Sequence, residues 1–498
     1  MRRAGHSETG PRAGASVPSG LHAGEAVVTG IARTRPALSS VAAASGLDKA
    51  VVLTASLLVA IDFGRVHQLF GPTSTLPVGK ITLPLMVLLL LFCPDLGARL
   101  TRLTRTPQAW ALLAFVGTIC VSIPSSLLAG YSLRELIEFL QTSLILVLAV
   151  GLAVRNKNDL QTVVLGLAVS VALLGGATAK QAMLGGVGGR YGASNTYDPN
   201  DVAFACVVAL PLALWLLASG RRWFHRLAGL AGVGGALLGV VFSGSRGGFL
   251  GLAAVLLTLL FMRGRRALPL KWRLAFLVLV GVGLTQAPSS FWTRVSSLTD
   301  LSEDYNIRSQ TGRKQIWKRG IRYAVQRPLW GVGFRAFNVA EGKLSGVETY
   351  GRGWKWSTAH SSPIQVVAEL GFLGLLAWLA LYVPTWWVAR RFGRHRRRAR
   401  DPTLEGWAKL FPVALVGFFV SGFFLSQAYG GVAMTLAGLG IATTVLLNQA
   451  RGTGAPAVVP PSPAGRRRRH PVPMYAASWS AGQYAGLPRI EPDAGAAR

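Results

Sequence analysis

The chain has 498 residues, of which 51% are hydrophobic and only 14% charged, with 59 glycines and a formal net charge of +32. That balance excludes an ordinary soluble protein. A basic excess often marks nucleic-acid binding, but these Lys and Arg sit mostly between long apolar blocks, which points to a membrane and away from nucleic acid.

Residues 1–47 are rich in Ala, Gly, Ser and Arg, with no apolar stretch of signal-peptide type near Met1, and are expected to form a disordered cytoplasmic tail. A spanning helix needs about 20 mostly apolar residues to cross about 30 Å of hydrocarbon. Twelve candidate runs follow: 48–64, 76–97, 108–129, 134–154, 159–178, 200–219, 226–243, 246–262, 272–288, 363–389, 405–427 and 430–449. Asp62 makes the first the weakest. Unpaired backbone amides in lipid leave only helices or a closed barrel, and these runs are too long and too evenly apolar for barrel strands. The predicted fold is all-α, a polytopic membrane domain over 48–450 with about twelve transmembrane helices and a large extracytoplasmic loop at 288–362. Residues 451–498, rich in Pro, Ala and Gly with the run Arg466 to Arg469, are expected to form a second disordered cytoplasmic tail touching anionic lipid.

Basic residues set the orientation. One set of short loops, from Arg99 to Arg400, holds 20 Lys and Arg, whereas the alternate set holds 5, namely Arg65, Arg134, Lys180, Arg190 and Arg246. Cytoplasmic loops carry the excess, so the stretch 191–201, the turn 243–248 and the loop 288–362 fall together on the opposite face. Cys93, Cys120 and Cys206 lie in or beside apolar runs without metal-ligand spacing, which argues against a disulfide scaffold or a structural zinc site.

On that outer face the first distinctive stretch is Tyr197 to Asp201. Asp198 and Asn200, with Gln365 further along the chain, are candidates for acceptor binding or a structural role, helix capping being the plainer role in this stretch. Next, Arg246 stands among Ser and Gly in a tight turn between two apolar runs. An arginine there needs an anion: a lipid headgroup, or a pyrophosphate that accepts its forked hydrogen bonds. The 75-residue loop then carries five tryptophans and twelve Lys and Arg against five Asp and Glu. Within it, 312–326 reads as an amphipathic helix with Ile316, Trp317, Ile321, Ala324 and Val325 on one face and Arg313, Lys314, Lys318, Arg319 and Arg322 on the other, suited to the headgroup plane or to a phosphorylated lipid.

His360 precedes a helix for which Ser362 is the expected N-cap and Pro363 the first residue. A histidine titrating near neutrality can take a proton from an attacking sugar hydroxyl. Gln365 and Glu369 share one face of that helix, with Glu369 about 9 Å below its start. Glu369 is a candidate to orient a base or to pair with an arginine. No Walker motif, dinucleotide fingerprint, H-E-x-x-H or outer Asp-x-Asp is present, so neither a cofactor nor a metal is expected and the energy must arrive in the substrate.

Ser243-Gly244-Ser245-Arg246-Gly247-Gly248, Gly312-Arg313 through Trp317, Arg327-Pro328-Leu329-Trp330-Gly331-Val332-Gly333 and His360 through Gly371 together resemble the O-antigen ligase and polymerase family, as does Asp198-Pro199-Asn200. The resemblance implies about twelve spans, a large periplasmic loop and a metal-independent, inverting glycosyl transfer from glycans carried on undecaprenyl pyrophosphate. It implies that Arg246 and Arg313 hold the donor pyrophosphate and that His360 activates the acceptor. Where many members have Asn after the loop histidine, this chain has Ser361.

The expected function is therefore a glycosyltransferase polymerising lipid-linked repeats into an O-antigen or exopolysaccharide. An O-antigen ligase acting on a final lipid acceptor is the alternative, and a transporter or flippase of lipid-linked glycan is the rival from another class. Gathering of polar residues at one face rather than at the midplane favours the enzyme. Expected partners are the undecaprenyl-pyrophosphate-linked donor, a glycan acceptor, membrane lipid, and flippase and chain-length-regulator proteins. The expected location is the bacterial inner membrane, with the site on the periplasmic face.

Overall fold

The computed structural model describes residues 38–70, 76–185, 191–192, 196–262, 309–347, 356–394 and 401–452, with Ser74 and isolated residues between 271 and 292. The first 37 residues, most of the 272–288 run, Trp354 and the tail beyond 452 lie outside them. Among the described residues, those up to Gln449 belong to one compact unit and Ala450–Gly452 fall in a second.

The elements in order are α1 (Leu38–Phe63), α2 (Val78–Leu91), α3 (Leu96–Thr104), α4 (Pro107–Ser122), α5 (Ala129–Ala153), α6 (Lys157–Leu184), α7 (Pro199–Ser219), α8 (Trp223–Ser243) and α9 (Arg246–Phe261). After the loop come α10 (Arg313–Gln326), α11 (Phe337–Leu344), α12 (Ser362–Ala380), α13 (Val383–Arg394), α14 (Pro402–Gly422) and α15 (Gly431–Gly452). No strand occurs among the described residues, so the all-α polytopic reading holds.

Among the described residues, seven helices are long and apolar enough to cross a membrane, or eight if the bent pair α2 and α3 is one span, against the twelve expected over the whole chain. The 272–288 run lies mostly outside the described residues; the rest of the difference has physical causes. The run 76–97 breaks into α2 and α3, which meet at 100°. Asp48, Lys49 and Asp62 load α1 with charge. Helices α4 and α9 are only 16 residues each: the run 108–129 continues past α4 into the turn 123–128, and the run 246–262 is itself hardly longer than α9.

Helix α7 is apolar on every side and occupies the centre, buried continuously from Asp201 to Leu216. Such a helix has no solvent face to offer and must be wrapped by neighbours. Small residues let those neighbours approach: a Cβ on Gly175 of α6 would lie 1.8 Å from the Gly235 carbonyl oxygen of α8. Buried polar groups pin the other side, where Gln108 Nε2 donates to Thr385 Oγ1 (2.8 Å) and Thr444 Oγ1 (2.7 Å), joining α4, α13 and α15.

The two ends of the bundle differ. At one end, ion pairs knit helix termini together. Asp48 takes both Arg99 and Arg155, Arg99 Nε also reaches Asp95 at 2.7 Å, and Lys157 meets Asp401 at 2.5 Å. Several cations counted as loop charge are thus structural. The other end gathers the start of α7, the turn between α8 and α9, the described outer loop, the start of α12 and the 423–430 connection.

Candidate functional site

The outer rim is built from helix starts. Asp198 caps α7 by accepting from the backbone N–H of Asn200 (2.7 Å) and Asp201 (3.0 Å), while Asp201 accepts from Asp198 N at 3.0 Å. Asp198 therefore performs the plainer, capping role. Asn200 reaches across: its Oδ1 accepts from Ser245 Oγ at 3.0 Å, and Ser245 caps α9 by accepting from Gly248 N at 3.2 Å. The first residue of α9 is Arg246, so its backbone is located by a hydrogen-bonded chain that starts at Asp198.

A second chain of contacts leads from Arg246 to the outer loop. A Cβ on Gly247 would lie 3.0 Å from Phe424 Cβ, and Phe424 and Phe423 pack on Trp317 of α10 with ring centroids 6.2 and 5.2 Å apart. Trp317 Nε1 donates to Ala359 O at 3.1 Å, the residue before His360. Arg313 opens α10 one turn ahead of Trp317. Three separated stretches thus bring Arg246, Arg313 and His360 to one rim.

His360 has φ 48, left-handed backbone that a residue with a Cβ adopts only where its surroundings hold it. It is partly buried. Burial pushes its pKa below the ordinary value of 6.5, Arg313 lowers it further, and Asp198 opposes both. At neutral pH the imidazole is uncharged and able to accept a proton.

The start of α12 departs from expectation. Helix α12 begins at Ser362 and its N-cap is Ser361, which makes no side-chain cap. Ser362 instead donates to Leu425 O at 2.7 Å and accepts from Gln427 N at 3.1 Å, because the 423–430 connection needs these partners more than a helix already opened by Pro363. The Ser361 hydroxyl and Gln365 Oε1 are buried beside His360 without a hydrogen-bond partner among the described residues.

Glu369 is fully buried one helix depth further in, away from the rim. Its Oε1 accepts from Phe337 N at 3.3 Å, at the start of α11. Around it the motif 327–333 docks on a break in α12: Val332 N donates to Ala368 O (2.9 Å), Gly333 N to Glu369 O (3.0 Å) and Phe372 N to Pro328 O (2.8 Å). Gly331 (φ 63) and Gly371 (φ 69) permit this, and a Cβ on Gly371 would lie 2.4 Å from Pro328 O. The structure thus puts Glu369 at the joint between loop and helix rather than beside His360.

Helix α10 presents a different face from the predicted one. Ile316, Gly320, Tyr323 and Ala324 are buried with Arg319, whereas Ile321 and Val325 are exposed. Arg319 turns inward because Glu341 of α11 meets it in a fork: Nε to Oε1 2.9 Å and Nη2 to Oε2 2.6 Å, with Nη1 donating to Gln310 O at 2.9 Å. Tyr323 OH donates to Glu341 Oε1 at 3.0 Å, so every side of the buried carboxylate is met.

One polar group next to the rim escaped the sequence reading. Arg65, in left-handed backbone, lies 3.2 Å from Asp62 and over the Tyr197 ring at 5.4 Å. Burial would lower its pKa, but Tyr197 and Asp62 outweigh burial and hold the guanidinium charged. Asp201 accepts from Gln427 Nε2 at 2.7 Å. Counting Arg65 only as loop charge hid it; its nearness to Asp62 in a short apolar run was the available signal.

Residues 231–379 match the model of the family described as O-antigen ligase. The match runs from α8 through the outer loop to the end of α12 and contains Arg246, Arg313, His360 and Glu369. It supports an enzyme of O-antigen ligase or polymerase type in a multi-pass membrane protein. A comparison with curated proteins finds no match.

Proposed function

We propose that this chain, which carries an O-antigen ligase family domain over residues 231–379, transfers an oligosaccharide from an undecaprenyl-pyrophosphate carrier to a hydroxyl of a glycan acceptor. The observation that carries the proposal is the convergence of Arg246, Arg313 and His360 on one rim through the Trp317 contacts. Two guanidiniums suit a diphosphate, which accepts forked, charge-assisted hydrogen bonds.

In the proposed step the acceptor hydroxyl loses its proton to neutral His360 as its oxygen bonds to the anomeric carbon from the face opposite the carrier. The bond from that carbon to the pyrophosphate oxygen breaks, and Arg246 and Arg313 stabilise the charge left on the leaving group. The anomeric centre inverts. Because the diphosphate leaves with its charge already neutralised by side chains, the reaction calls for no nucleotide and no metal ion. The rim then faces the periplasm of the inner membrane, where such donors are displayed.

When the acceptor is another lipid-linked repeat the enzyme is a polymerase, the reading that the basic, aromatic outer loop favours. When it is a final lipid the enzyme is a ligase, the reading favoured by the family's description. Purified protein in detergent, given lipid-linked repeats with a chelator and no nucleotide, is expected to build longer chains; transfer only to an added lipid acceptor identifies the ligase. Movement of substrate across a vesicle without bond formation would replace both with a transporter.

A further inference from the structure

A cavity of about 560 Å³ lies at the end of the bundle opposite His360, between the start of α1, the first turns of α6 and the Arg221–Arg222 turn into α8. The transfer reaction does not use it. Its carboxylates are already committed: Asp48 to Arg99 and to Arg155 at 2.6 Å, and Asp159 to Arg155 N at 3.0 Å and Asn156 Nδ2 at 2.9 Å. Lys49, Arg221 and Arg222 also line the cavity, and among the described residues no carboxylate stands within ion-pair distance of them.

Two further donors point the same way. Helix α8 starts here without a side-chain cap from its N-cap Arg222; His225 N donates to Arg222 O at 3.1 Å, which leaves the N–H groups of Trp223 and Phe224 without an acceptor from the helix itself. His225, in that first turn, is nine-tenths buried and lines the cavity, and its Nδ1 has no hydrogen-bond partner. Beside these groups the wall turns apolar through Val52, Leu53 and Leu165, with Leu53 61% exposed toward the surroundings of the bundle.

We propose that this cavity binds the phosphate of an anionic phospholipid. Lys49, Arg221 and Arg222 take the phosphate oxygens, the open first turn of α8 and His225 complete the hydrogen bonds, and an acyl chain runs along Leu53 and Leu165. Cationic pockets between spanning helices suit such headgroups. The apolar wall favours a lipid over free phosphate, which would need only the cations. A bound lipid would tie α1, α6 and α8 together at the end remote from the chemistry.

The test uses full-length protein in phosphatidylcholine nanodiscs, with phosphatidylglycerol titrated in and Tm followed, and a parallel titration with inorganic phosphate. Phosphatidylglycerol is expected to raise Tm saturably and inorganic phosphate to leave it unchanged. Arg221→Gln/Arg222→Gln, which alters only exposed side chains, should weaken the apparent affinity about thirtyfold, the loss of two cations at an anionic surface. Arg105→Gln/Arg391→Gln, the same charge change outside the cavity, should leave it unchanged. An equal loss in the two pairs would show unspecific surface charge and overturn the site; an equal Tm rise with inorganic phosphate would overturn the lipid.

Discussion

The outer loop can position Arg313 and Trp317 only if its helices hold together, and the Arg319–Glu341 pair, which ties α10 to α11, is the part of that packing most open to measurement. The side chains are 7% and 0% exposed, so removing one charge leaves the other buried. In Arg319→Met, Glu341 keeps its bond from the Tyr323 hydroxyl but loses the fork from the guanidinium, which costs about 3–5 kcal/mol. Opening of the loop should become easier by about two to three and a half powers of ten. Replacing both partners, Arg319→Met with Glu341→Leu, removes the stranded charge and should recover most of the loss, the missing bonds to Gln310 O and from Tyr323 OH costing about 1 kcal/mol each. Amide hydrogen exchange across 313–344 in the purified protein reads this directly. The reasoning is refuted if the single variant keeps wild-type protection, or if the double is as open as the single.

Other expectations concern the rim and the joint. His360 titrates below its ordinary 6.5 because of burial and Arg313, so the acid limb of kcat/KM should lie below that value, with activity lost as pH falls through it. In the residual activity of Arg313→Gln the limb should move up and in Asp198→Asn down; a limb indifferent to both charges contradicts His360 as the base. Gly331→Ala forces a Cβ to 2.4 Å from the Glu369 backbone carbon at φ 63, and should lower stability by more than about 2 kcal/mol, seen as a fall in Tm. Gly176→Ala, where a Cβ meets nothing within 4 Å, should be harmless. Asn200→Ala frees Ser245 and with it the start of α9, and should raise KM for the donor several-fold with little change in Tm, about 1 kcal/mol being at stake.

Much of the fold was legible because lipid permits so little. Long apolar runs had to be helices, and their order along the chain is the order observed. The number of spans was less legible, since overall composition does not show where a run turns: the 100° bend between α2 and α3 falls at Phe92-Cys93-Pro94-Asp95, where Pro94 cannot continue the helix. The rim residues were readable for a local reason. An arginine among small residues in a tight turn, and a histidine ahead of Ser-Ser-Pro, are conspicuous without any tertiary knowledge.

Tertiary pairing stayed hidden. Arg319 looked like one more cation on a basic face until Glu341, 22 positions away, turned it inward. Ser362 looked like a helix cap until the 425–427 connection claimed its hydroxyl. Glu369 was a candidate because an intramembrane carboxylate is conspicuous, but only the break at Gly371 shows that its surroundings are the docked 327–333 motif and α11. Arg65 was overlooked because its partners Tyr197 and Asp62 come from different helices' ends.

The account stands on one diphosphate being held by Arg246 and Arg313 together, with His360 serving the acceptor instead. Binding of glycan-free undecaprenyl pyrophosphate to the wild type, Arg246→Gln, Arg313→Gln, their double and His360→Ala measures this without turnover. Each arginine variant should bind about thirtyfold more weakly, as for a lost charge-assisted bond. The double should fall short of the product of the two losses, since both grip one group, and His360→Ala should bind as the wild type does. Undiminished binding in either arginine variant, or losses that simply multiply, would contradict a shared diphosphate site.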